Sequence, residues 1–261
     1  DCFSFQSAGG SQATMTMASI ARMYHRLRGE EEQRDEIITT ASSHPSDAAA
    51  PALKGYKIIN IMADENGQPD YEAFKAAVSE RTAAFVVANP EDTGIFNPRI
   101  KEFTDLVTKA GGLNCYDQAN ANGLFGIARS KEAGFHMCYF NLHKSFGTPH
   151  GCGGPGSGAV GVIAELRDYL PKPLVEFNGK EYFFDYELEH SIGKVRIFHG
   201  TPQVVLKAYS WIMSLGAEGL YEVAKVASLN NVYLIKRLLE YKGLELPYNQ
   251  DIQRIEQARY T

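Results

Sequence analysis

A lysine and an aspartate follow two apolar runs of the sequence in positions that favour joint chemistry. Lys144 comes two residues after the end of the run at 137–142 (MCYFNL), and Asp117 ends the run at 112–117 (GLNCYD). If both runs are strands of a parallel sheet, both side chains lie at its carboxyl edge, where open α/β sheets bind ligands. A partly desolvated lysine there can act as an amine nucleophile. A lysine that reaches solvent and an aspartate that caps a turn fit the sequence as well.

This pair matches the needs of one cofactor, pyridoxal phosphate. The cofactor bonds covalently to a lysine amine, and a carboxylate keeps its ring nitrogen protonated so that the ring can accept electrons. A phosphate site is predicted at 7–12 (SAGGSQ), where a glycine pair leads into a helix whose free N–H groups favour an anion. His44 and Thr93 follow two other predicted strands and offer an imidazole and a hydroxyl group. Ordinary loop roles would explain each of these residues individually.

The elements that must position these residues alternate between strands and helices. Apolar runs rich in β-branched and aromatic residues predict strands at 36–40, 56–62, 83–89, 112–117, 137–142 and 158–164. Amphipathic patterns predict helices at 11–29, 70–80, 98–112, 202–216 and 217–242. Several strands are apolar on both faces, which is typical of a parallel sheet covered on both sides. The sequence therefore predicts an α/β layered fold over residues 1–165.

The bulk composition excludes some classes of protein and favours others. The chain has 261 residues, 44% of them hydrophobic, and a net charge of −5, so a sizeable core is expected and a nucleic-acid or anionic-membrane partner is not. No apolar run has the length of a membrane span, no signal peptide opens the chain, and a start at Asp1 is expected of a fragment or a processed chain. The spacing of Cys2, Cys115, Cys138 and Cys152 predicts free thiols in a reducing compartment and no metal site.

Longer motifs resemble one family, glycine dehydrogenase (decarboxylating), which is the P-protein of the glycine cleavage system. The segment 141–162 (NLHKSFGTPHGCGGPGSGAVGV) is similar to the family's lysine loop, NLHKTFxxPHGGGGPGxGPxGV. The segments 115–123 (CYDQANANG), 5–12 (FQSAGGSQ) and 42–56 (SSHPSDAAAPALKGY) resemble three further family motifs. The resemblance spans nearly the whole chain and fits the carboxyl half or the second subunit of that enzyme.

The resemblance implies a fold and a set of residue roles. The fold would be the large domain of fold-type-I pyridoxal enzymes over 1–200, a mainly parallel seven-stranded sheet between helices. Helices at 201–261 would lead into a truncated small C-terminal α/β domain. Lys144 would form the Schiff base with pyridoxal phosphate, Asp117 would pair with its ring nitrogen, and His44 would stack on the ring. The remaining positions would lie at the phosphate (Gly10, Ser11, Gln12 and His143) or near the ring substituents (Thr93 and Asn120).

The resemblance also implies an activity and partners. The family decarboxylates glycine and passes the aminomethyl group to the lipoyl arm of the H-protein, so this chain would be an oxidoreductase that works in an oligomer with a companion subunit. Its location would be cytoplasmic in a bacterium or archaeon, or the mitochondrial matrix in a eukaryote. Another pyridoxal-dependent decarboxylase, an aminotransferase of a small amino acid, and a non-catalytic assembly subunit are the alternatives. The presence of Lys144 argues against the last one.

Two departures from the family pattern bear on substrate choice. The family's QGE is Gln12-Ala13-Thr14, so an expected glutamate is missing, and its HGTNPAS is HPSDAAA at 44–50. Pro45 would stiffen a loop beside the ring, and Asp47 would add a negative charge where an amide is expected. The glycines after Lys144 would let the backbone approach closely and leave room for a lipoyl arm.

Overall fold

A computed structural model describes residues 2–261. Seven strands form one sheet in the order β1-β7-β6-β5-β4-β2-β3, and β8 and β9 form a separate antiparallel hairpin. β7 runs antiparallel to both β1 and β6, whereas the other pairs in the sheet are parallel. The strands are β1 Cys2–Ser4, β2 Glu36–Thr40, β3 Lys57–Ile61, β4 Thr82–Ala88, β5 Leu113–Gln118, β6 Met137–Asn141, β7 Gly158–Val162, β8 Leu174–Phe177 and β9 Tyr182–Asp185.

Helices connect the strands and cover both faces of the sheet. The α-helices are α1 Gly10–Leu27, α2 Pro45–Leu53, α3 Tyr71–Ala77, α4 Ile100–Lys109, α5 Leu142–Ser145 and α6 Pro202–Leu238. A 3-10 helix occupies Ala164–Tyr169. The mainly parallel seven-stranded sheet with flanking helices confirms the predicted fold-type-I architecture. In the part of the chain described, no helix combines the length and apolar character that a membrane crossing requires.

The core consists of two apolar layers, one on each face of the sheet. Successive strand residues enter opposite layers because side chains of a strand alternate between its faces. Ile37 and Val86 pack with the inner face of α1, whereas Ile38 and Val87 pack with Phe74 and other aromatic side chains from α3 and α4. The central strands are therefore apolar on both faces, which is why they lack the alternating polar pattern of an exposed sheet.

The structure corrects several predicted elements. Residues 45–53 form helix α2, although the segment was predicted to be a loop, and Pro45 occupies its first turn, where a missing N–H costs nothing. No helix joins β5 to β6, since residues 119–136 form turns and irregular segments. The predicted break between the helices 202–216 and 217–242 is confirmed within α6, since the φ of 63° and ψ of −173° at Gly216 are not helical. The predicted domain boundary near residue 200 stays a prediction.

The end of the chain returns to the loop that follows β4. Arg254 pairs with Ile95 in an isolated β-bridge, and the Ile255 amide donates a hydrogen bond to the Gly94 carbonyl over 2.9 Å. The Asn231 side chain on α6 donates to the carbonyls of Ile255 and Gln257. These contacts bring residues 254–257 to the carboxyl edge of the parallel strands.

Candidate functional site

The loops that follow β4, β5 and β6 surround a cavity of about 330 Å³ at the carboxyl edge of the parallel strands. These strands are neighbours in the sheet, so their ends present adjacent loops to one space. Its ionisable and amide side chains include His44, Asp92, Asp117, Asn120, Lys144 and Glu256. The structure thus brings together four of the residues singled out in the sequence.

Lys144 and Asp117 reach this cavity from adjacent strands. Asp117 lies in β5 opposite Tyr139 of β6, and Lys144 lies on the single-turn helix α5 that follows β6 directly. Asp117 is 6% exposed, and one of its oxygens accepts the Ala119 amide N–H over 2.8 Å, which stabilises the anionic form. Lys144 is exposed.

The carboxyl group of Asp47 lies behind Asp117, on the first turn of α2. Asp47 is fully buried, and its oxygen Oδ1 accepts a hydrogen bond from Thr14 over 3.4 Å. Burial, followed by the nearby Asp117 charge, raises the pKa of Asp47 well above its usual range. Burial and the same two aspartates also raise the pKa of Tyr139. Sequence reasoning found Asp47 as a departure from a motif but missed its proximity to Asp117, because α2 was not predicted.

His44 caps helix α2 at the cavity. Its ring atom Nδ1 accepts the Ser46 amide N–H over 3.1 Å and lies 2.8 Å from the Ser46 hydroxyl. The cap fixes the direction of an exposed imidazole ring that lines the cavity. His44 also lines a second cavity of about 530 Å³ between α1 and α2, together with Ser11 and Gln12. The ring is therefore placed between the cavity of Lys144 and the start of α1.

The glycine turn before α1 has the features of an anion site. The first N–H groups of an α-helix have no partner within the helix, and the helix dipole favours a negative charge there. The Gln12 amide, in contrast, is engaged: it accepts the Ala8 N–H and donates to the Val195 carbonyl, both over 2.7 Å. A phosphate in this turn would bond backbone N–H groups at Gly10 and Ser11 more readily than the Gln12 side chain.

The lysine loop crosses this glycine turn at very short range. A methyl group at Gly156 would lie 2.6 Å from the Ala8 carbonyl oxygen and 3.2 Å from the His143 ring. His143 accepts the Ser157 amide N–H over 3.2 Å, and its ring meets the His150 ring edge-on at 5.0 Å. Burial, then the nearby His150 and Lys144, lower the pKa of His143. His143 therefore lies beside the turn that was predicted to hold phosphate.

Asn120 and Thr93 differ in their positions. Asn120 lines the cavity, where its amide donates to Glu256 over 2.9 Å and its carbonyl accepts from Ser145 over 3.2 Å. Thr93 is buried, and its hydroxyl accepts the Ile95 amide N–H over 3.4 Å. Thr93 is not among the residues of the described chain that line the cavity.

Glu256 is a site residue that the sequence did not reveal. Burial raises the pKa of its carboxyl group, whereas the Asn120 hydrogen bond and the charge of Lys144 lower it. It lies 136 positions from Asn120 along the chain, in a segment without a recognisable motif. Neither spacing nor periodicity could have placed it here.

The residues present suit pyridoxal phosphate better than a metal ion. Each part of the cofactor has a chemical counterpart here. The Lys144 amine suits the aldehyde, and the buried Asp117 carboxylate suits the ring nitrogen. The His44 imidazole suits the ring face, and the glycine turn at the start of α1 suits the phosphate. Gly10 leaves the turn open, because a methyl group there would lie 3.1 Å from the Asn141 amide and 3.2 Å from the Tyr139 hydroxyl. Within residues 2–261, no three His, Cys, Asp or Glu side chains cluster as a metal site would require.

The sequence is similar to curated proteins about twice as long. It is 46% identical over 249 residues to a protein of Thermococcus kodakarensis named "Probable glycine dehydrogenase (decarboxylating) subunit 2", covering 95% of this chain and 49% of that protein. A Pyrococcus abyssi protein of the same name is 44% identical over 252 residues, covering 96% of this chain and 50% of the relative. The chain therefore spans about half the length of the curated relatives it matches.

Solved structures share the fold at lower identity. A structure of glycine decarboxylase (P-protein) of the glycine cleavage system, in inhibitor-bound form, matches with a TM-score of 0.75 at 22% identity, covering 95% of this chain and 57% of that one. A Burkholderia pseudomallei sphingosine-1-phosphate lyase matches with a TM-score of 0.70 at 19% identity, covering 95% and 56% of the two chains. The family described as aminotransferase class-V matches residues 10–256. With its parallel sheet and its lysine at the strand ends, the chain belongs to the aminotransferase class-V family of fold-type-I pyridoxal-phosphate proteins.

Proposed function

We propose that this chain carries pyridoxal phosphate covalently on Lys144 and decarboxylates glycine, with transfer of the aminomethyl group to the lipoyl arm of an H-protein. The observation that supports this most is the cavity shared by Lys144, Asp117 and His44, in a chain 46% identical over 249 residues to a protein named for that reaction. When bound, the cofactor accepts the electron pair that remains on the substrate carbon as carbon dioxide leaves.

The chain's own residues would hold the cofactor and control its protons. The Asp117 carboxylate keeps the ring nitrogen protonated, and the capped His44 ring lies on one ring face. The backbone N–H groups of Gly10 and Ser11 hold the phosphate, with His143 beside it. Lys144 supplies the amine that attaches the cofactor, and its neighbour Glu256 balances the ammonium charge while the lysine is free.

The proposed roles of Asn120, Thr93 and Gln12 rest on fewer contacts at the cavity. Asn120 lies near the ring substituents, because it lines the cavity between Glu256 and Ser145. Thr93 reaches the ring substituents only if the loop after β4 shifts, since its hydroxyl accepts from Ile95 and does not line the cavity described above. The Gln12 amide contributes by holding the glycine turn in shape through Ala8 and Val195.

The partners follow from the names and lengths of the relatives. Because those relatives are named as a second subunit, we propose a companion subunit, an oligomer of the two, and a lipoylated H-protein that receives the aminomethyl group. The proposed site of action is the cytoplasm, since the relatives compared above come from archaea. The region from residue 201 onward is proposed to lead into a second, smaller domain of the full-length protein.

A different small amino acid is the second candidate substrate. The observation that favours it is the altered segment 44–50 together with Thr14 where the family pattern has glutamate. The altered segment reaches the cavity through His44, whereas Thr14 is buried and donates a hydrogen bond to Asp47 of that segment. A non-catalytic subunit is the weaker alternative, because Lys144 is present and lines the cavity.

A cofactor titration of the full-length protein tests the lysine assignment. Wild type should develop the visible absorption band of covalently held pyridoxal phosphate, and Lys144→Ala should not. Lys109→Ala, which removes an exposed lysine on α4, is the matched control and should behave as wild type. A band that persists in Lys144→Ala would assign the cofactor to another amine.

An exchange assay tests the reaction. The full-length protein, the companion subunit and a lipoylated carrier should together exchange labelled bicarbonate into the carboxyl group of glycine. The same mixture should be offered alanine and serine in parallel. Turnover of either amino acid without exchange into glycine would favour the second candidate.

A further inference from the structure

One carboxyl oxygen of the buried residue Asp47 lacks a hydrogen-bond donor among the described residues. The residue is 0% exposed, and its oxygen Oδ1 accepts from the Thr14 hydroxyl over 3.4 Å. Its other oxygen, Oδ2, is buried and has no hydrogen-bond donor among the described residues. A buried carboxylate oxygen without a donor is unfavourable, because that oxygen has lost its hydrogen bonds to water without replacement.

The groups that face Asp47 would repel a charge there. The ionisable groups that interact with Asp47 are the carboxyl group of Asp117, the Tyr139 hydroxyl and the buried thiol of Cys115. The hydroxyl groups of Thr14 and Ser43 can donate to it. The start of α2 favours an anion, but a helix dipole does not offset the removal of a full charge from water next to a second carboxylate.

Other ionisable side chains line the same cavity as Asp117, whereas Asp47 does not line this cavity. Lys144, His44, Asp92 and Glu256 line the cavity that Asp117 also lines. Asp117 accepts the Ala119 N–H, so its negative charge has a fixed donor. The two carboxyl groups therefore have unequal environments: Asp47 is fully buried with one oxygen that lacks a donor, and Asp117 lies at the cavity with a fixed donor.

We propose that Asp47 is a protonated carboxylic acid that donates a hydrogen bond to the Asp117 carboxylate, so that the pair holds one proton and one negative charge. The proton gives the buried oxygen of Asp47 its missing partner. It also leaves Asp117 as the anion that faces the cavity. Asp47 is thus a positioning residue, which acts through Asp117.

This state makes Asp47 equivalent to the amide that the family pattern has at this position. A protonated carboxyl group has one O–H donor and one carbonyl acceptor, as a side-chain amide has an N–H donor and a carbonyl acceptor. The expectation that Asp47 adds a negative charge to the site is therefore replaced by a neutral donor to Asp117. The role of the pair toward a ring nitrogen rests on the proposed function, whereas the shared proton does not.

Infrared spectroscopy of the full-length protein without added cofactor tests the shared proton. The difference between wild type and Asp47→Asn at neutral pH should contain the carbonyl band of a protonated carboxylic acid, which shifts in D₂O. Asp105→Asn, which removes an exposed aspartate on α4, is the matched control and should lose carboxylate bands alone. Loss of carboxylate bands alone in Asp47→Asn would overturn the proposal.

Isotope labelling makes the infrared test independent of whether the variant folds. Glu91 is a second buried carboxyl group, with a pKa raised by burial to about 7, and its band could overlap that of Asp47. Labelling aspartate carboxyl groups with ¹³C moves aspartate bands away from those of glutamate. A labelled protonated band in wild type supports the proposal, and its absence overturns it.

Cofactor affinity tests the positioning role. Asp47→Asn keeps a neutral donor to Asp117 and should bind pyridoxal phosphate within about threefold of wild type. Asp47→Ala removes the donor to a charged acceptor and should bind about ten- to a hundredfold more weakly. Equal weakening in both variants would overturn the positioning role. A wild-type protein that binds no cofactor would refute the proposed function and leave the infrared result intact.

Discussion

At the scale of single residues, Glu91 shows how burial beside the cavity sets a pH dependence. It lies in the loop after β4, and burial raises the pKa of its carboxyl group to about 7 from an ordinary value of 4.5, with a smaller contribution from Asp92. One of its oxygens has no donor among the described residues, which agrees with a carboxyl group that holds its own proton. The folded protein therefore keeps a proton that the unfolded chain releases above pH 4.5.

This difference predicts that the free energy of unfolding falls as pH rises from about 4.5 to about 7. Glu91 should contribute a loss of about 3 kcal/mol across this range and no further change above it. Glu91→Gln, which cannot ionise, should lack this contribution and be more stable than wild type at pH 8. Denaturant unfolding at pH 5 and pH 8 measures the difference, and an equal pH response in both proteins would contradict the prediction.

Some residues of the site could be predicted from the sequence and others could not. Lys144, Asp117 and His44 were found because each ends or follows an apolar strand, and strand ends in a parallel sheet meet at one edge. Asn120 was found through the family resemblance alone. Glu256 could not be found, because a contact across 136 residues leaves no local pattern. The sequence predicted which residues reach the cavity better than it predicted their burial and hydrogen bonds.

At the scale of elements, helix α2 decides the environment of two site residues. Its first turn contains Pro45 and its interior contains Pro51, so the segment lacks the apolar periodicity that marks a helix. His44 followed by a proline is nevertheless a recognisable helix start, because proline is favoured in the first turn. A prediction based on start signals rather than periodicity would have placed Asp47 in the first turn of a helix.

The crossing of the lysine loop over the glycine turn gives a second prediction. Gly156→Ala would place a methyl group 2.6 Å from the Ala8 carbonyl, so the two segments must separate. We expect a loss of about 1–3 kcal/mol in stability and weaker binding of pyridoxal phosphate, because the turn forms the proposed phosphate site. Thermal unfolding and cofactor titration measure the two effects.

Gly153→Ala is the control for this prediction. Gly153 lies in the same loop, no atom lies within 4 Å of a methyl group built there, and its φ is not positive. This variant should keep the stability and the cofactor affinity of wild type within experimental error. Equal behaviour of the two variants would show that the close crossing does not constrain the site.

At the scale of the whole molecule, the returning segment 254–257 closes one wall of the cavity. Asn231 on α6 holds it through hydrogen bonds to Ile255 and Gln257 over 3.3 and 3.1 Å. Asn231→Ala should cost about 1–3 kcal/mol in stability, because two partly buried carbonyls lose their donor. It should also raise the Kd for pyridoxal phosphate, since Glu256 is no longer held at the cavity.

The neighbouring Asn230 provides the control, because its side chain is exposed on the same helix. Asn230→Ala should change neither the stability nor the cofactor affinity. Limited proteolysis gives an independent measurement: cleavage within 248–257 should accelerate in Asn231→Ala alone. Unchanged cleavage and affinity in Asn231→Ala would show that other contacts hold the segment.

The sequence predicted the central strands of the sheet and missed the short and exposed strands. The six predicted strands are present, and β2, β4, β5 and β7 are buried along nearly their whole length, as their apolar runs indicate. The edge strand β3 is partly exposed. The edge strand β1 was missed because three residues are too short for a pattern. The hairpin of β8 and β9 was missed because its residues are exposed and lack alternation.

The pairing of β1 with β7 has a consequence for the order of events during synthesis. β1 pairs in register from Cys2 with Val162, so its partner strand is made about 160 residues later. At typical rates of translation, of about 5–20 residues per second, this interval lasts about 8–32 s. The glycine turn lies between β1 and α1, only a few residues after β1. It therefore acquires its final position only when β1 pairs with β7. A nascent chain therefore becomes competent to hold a phosphate only after nearly the whole sheet has been translated.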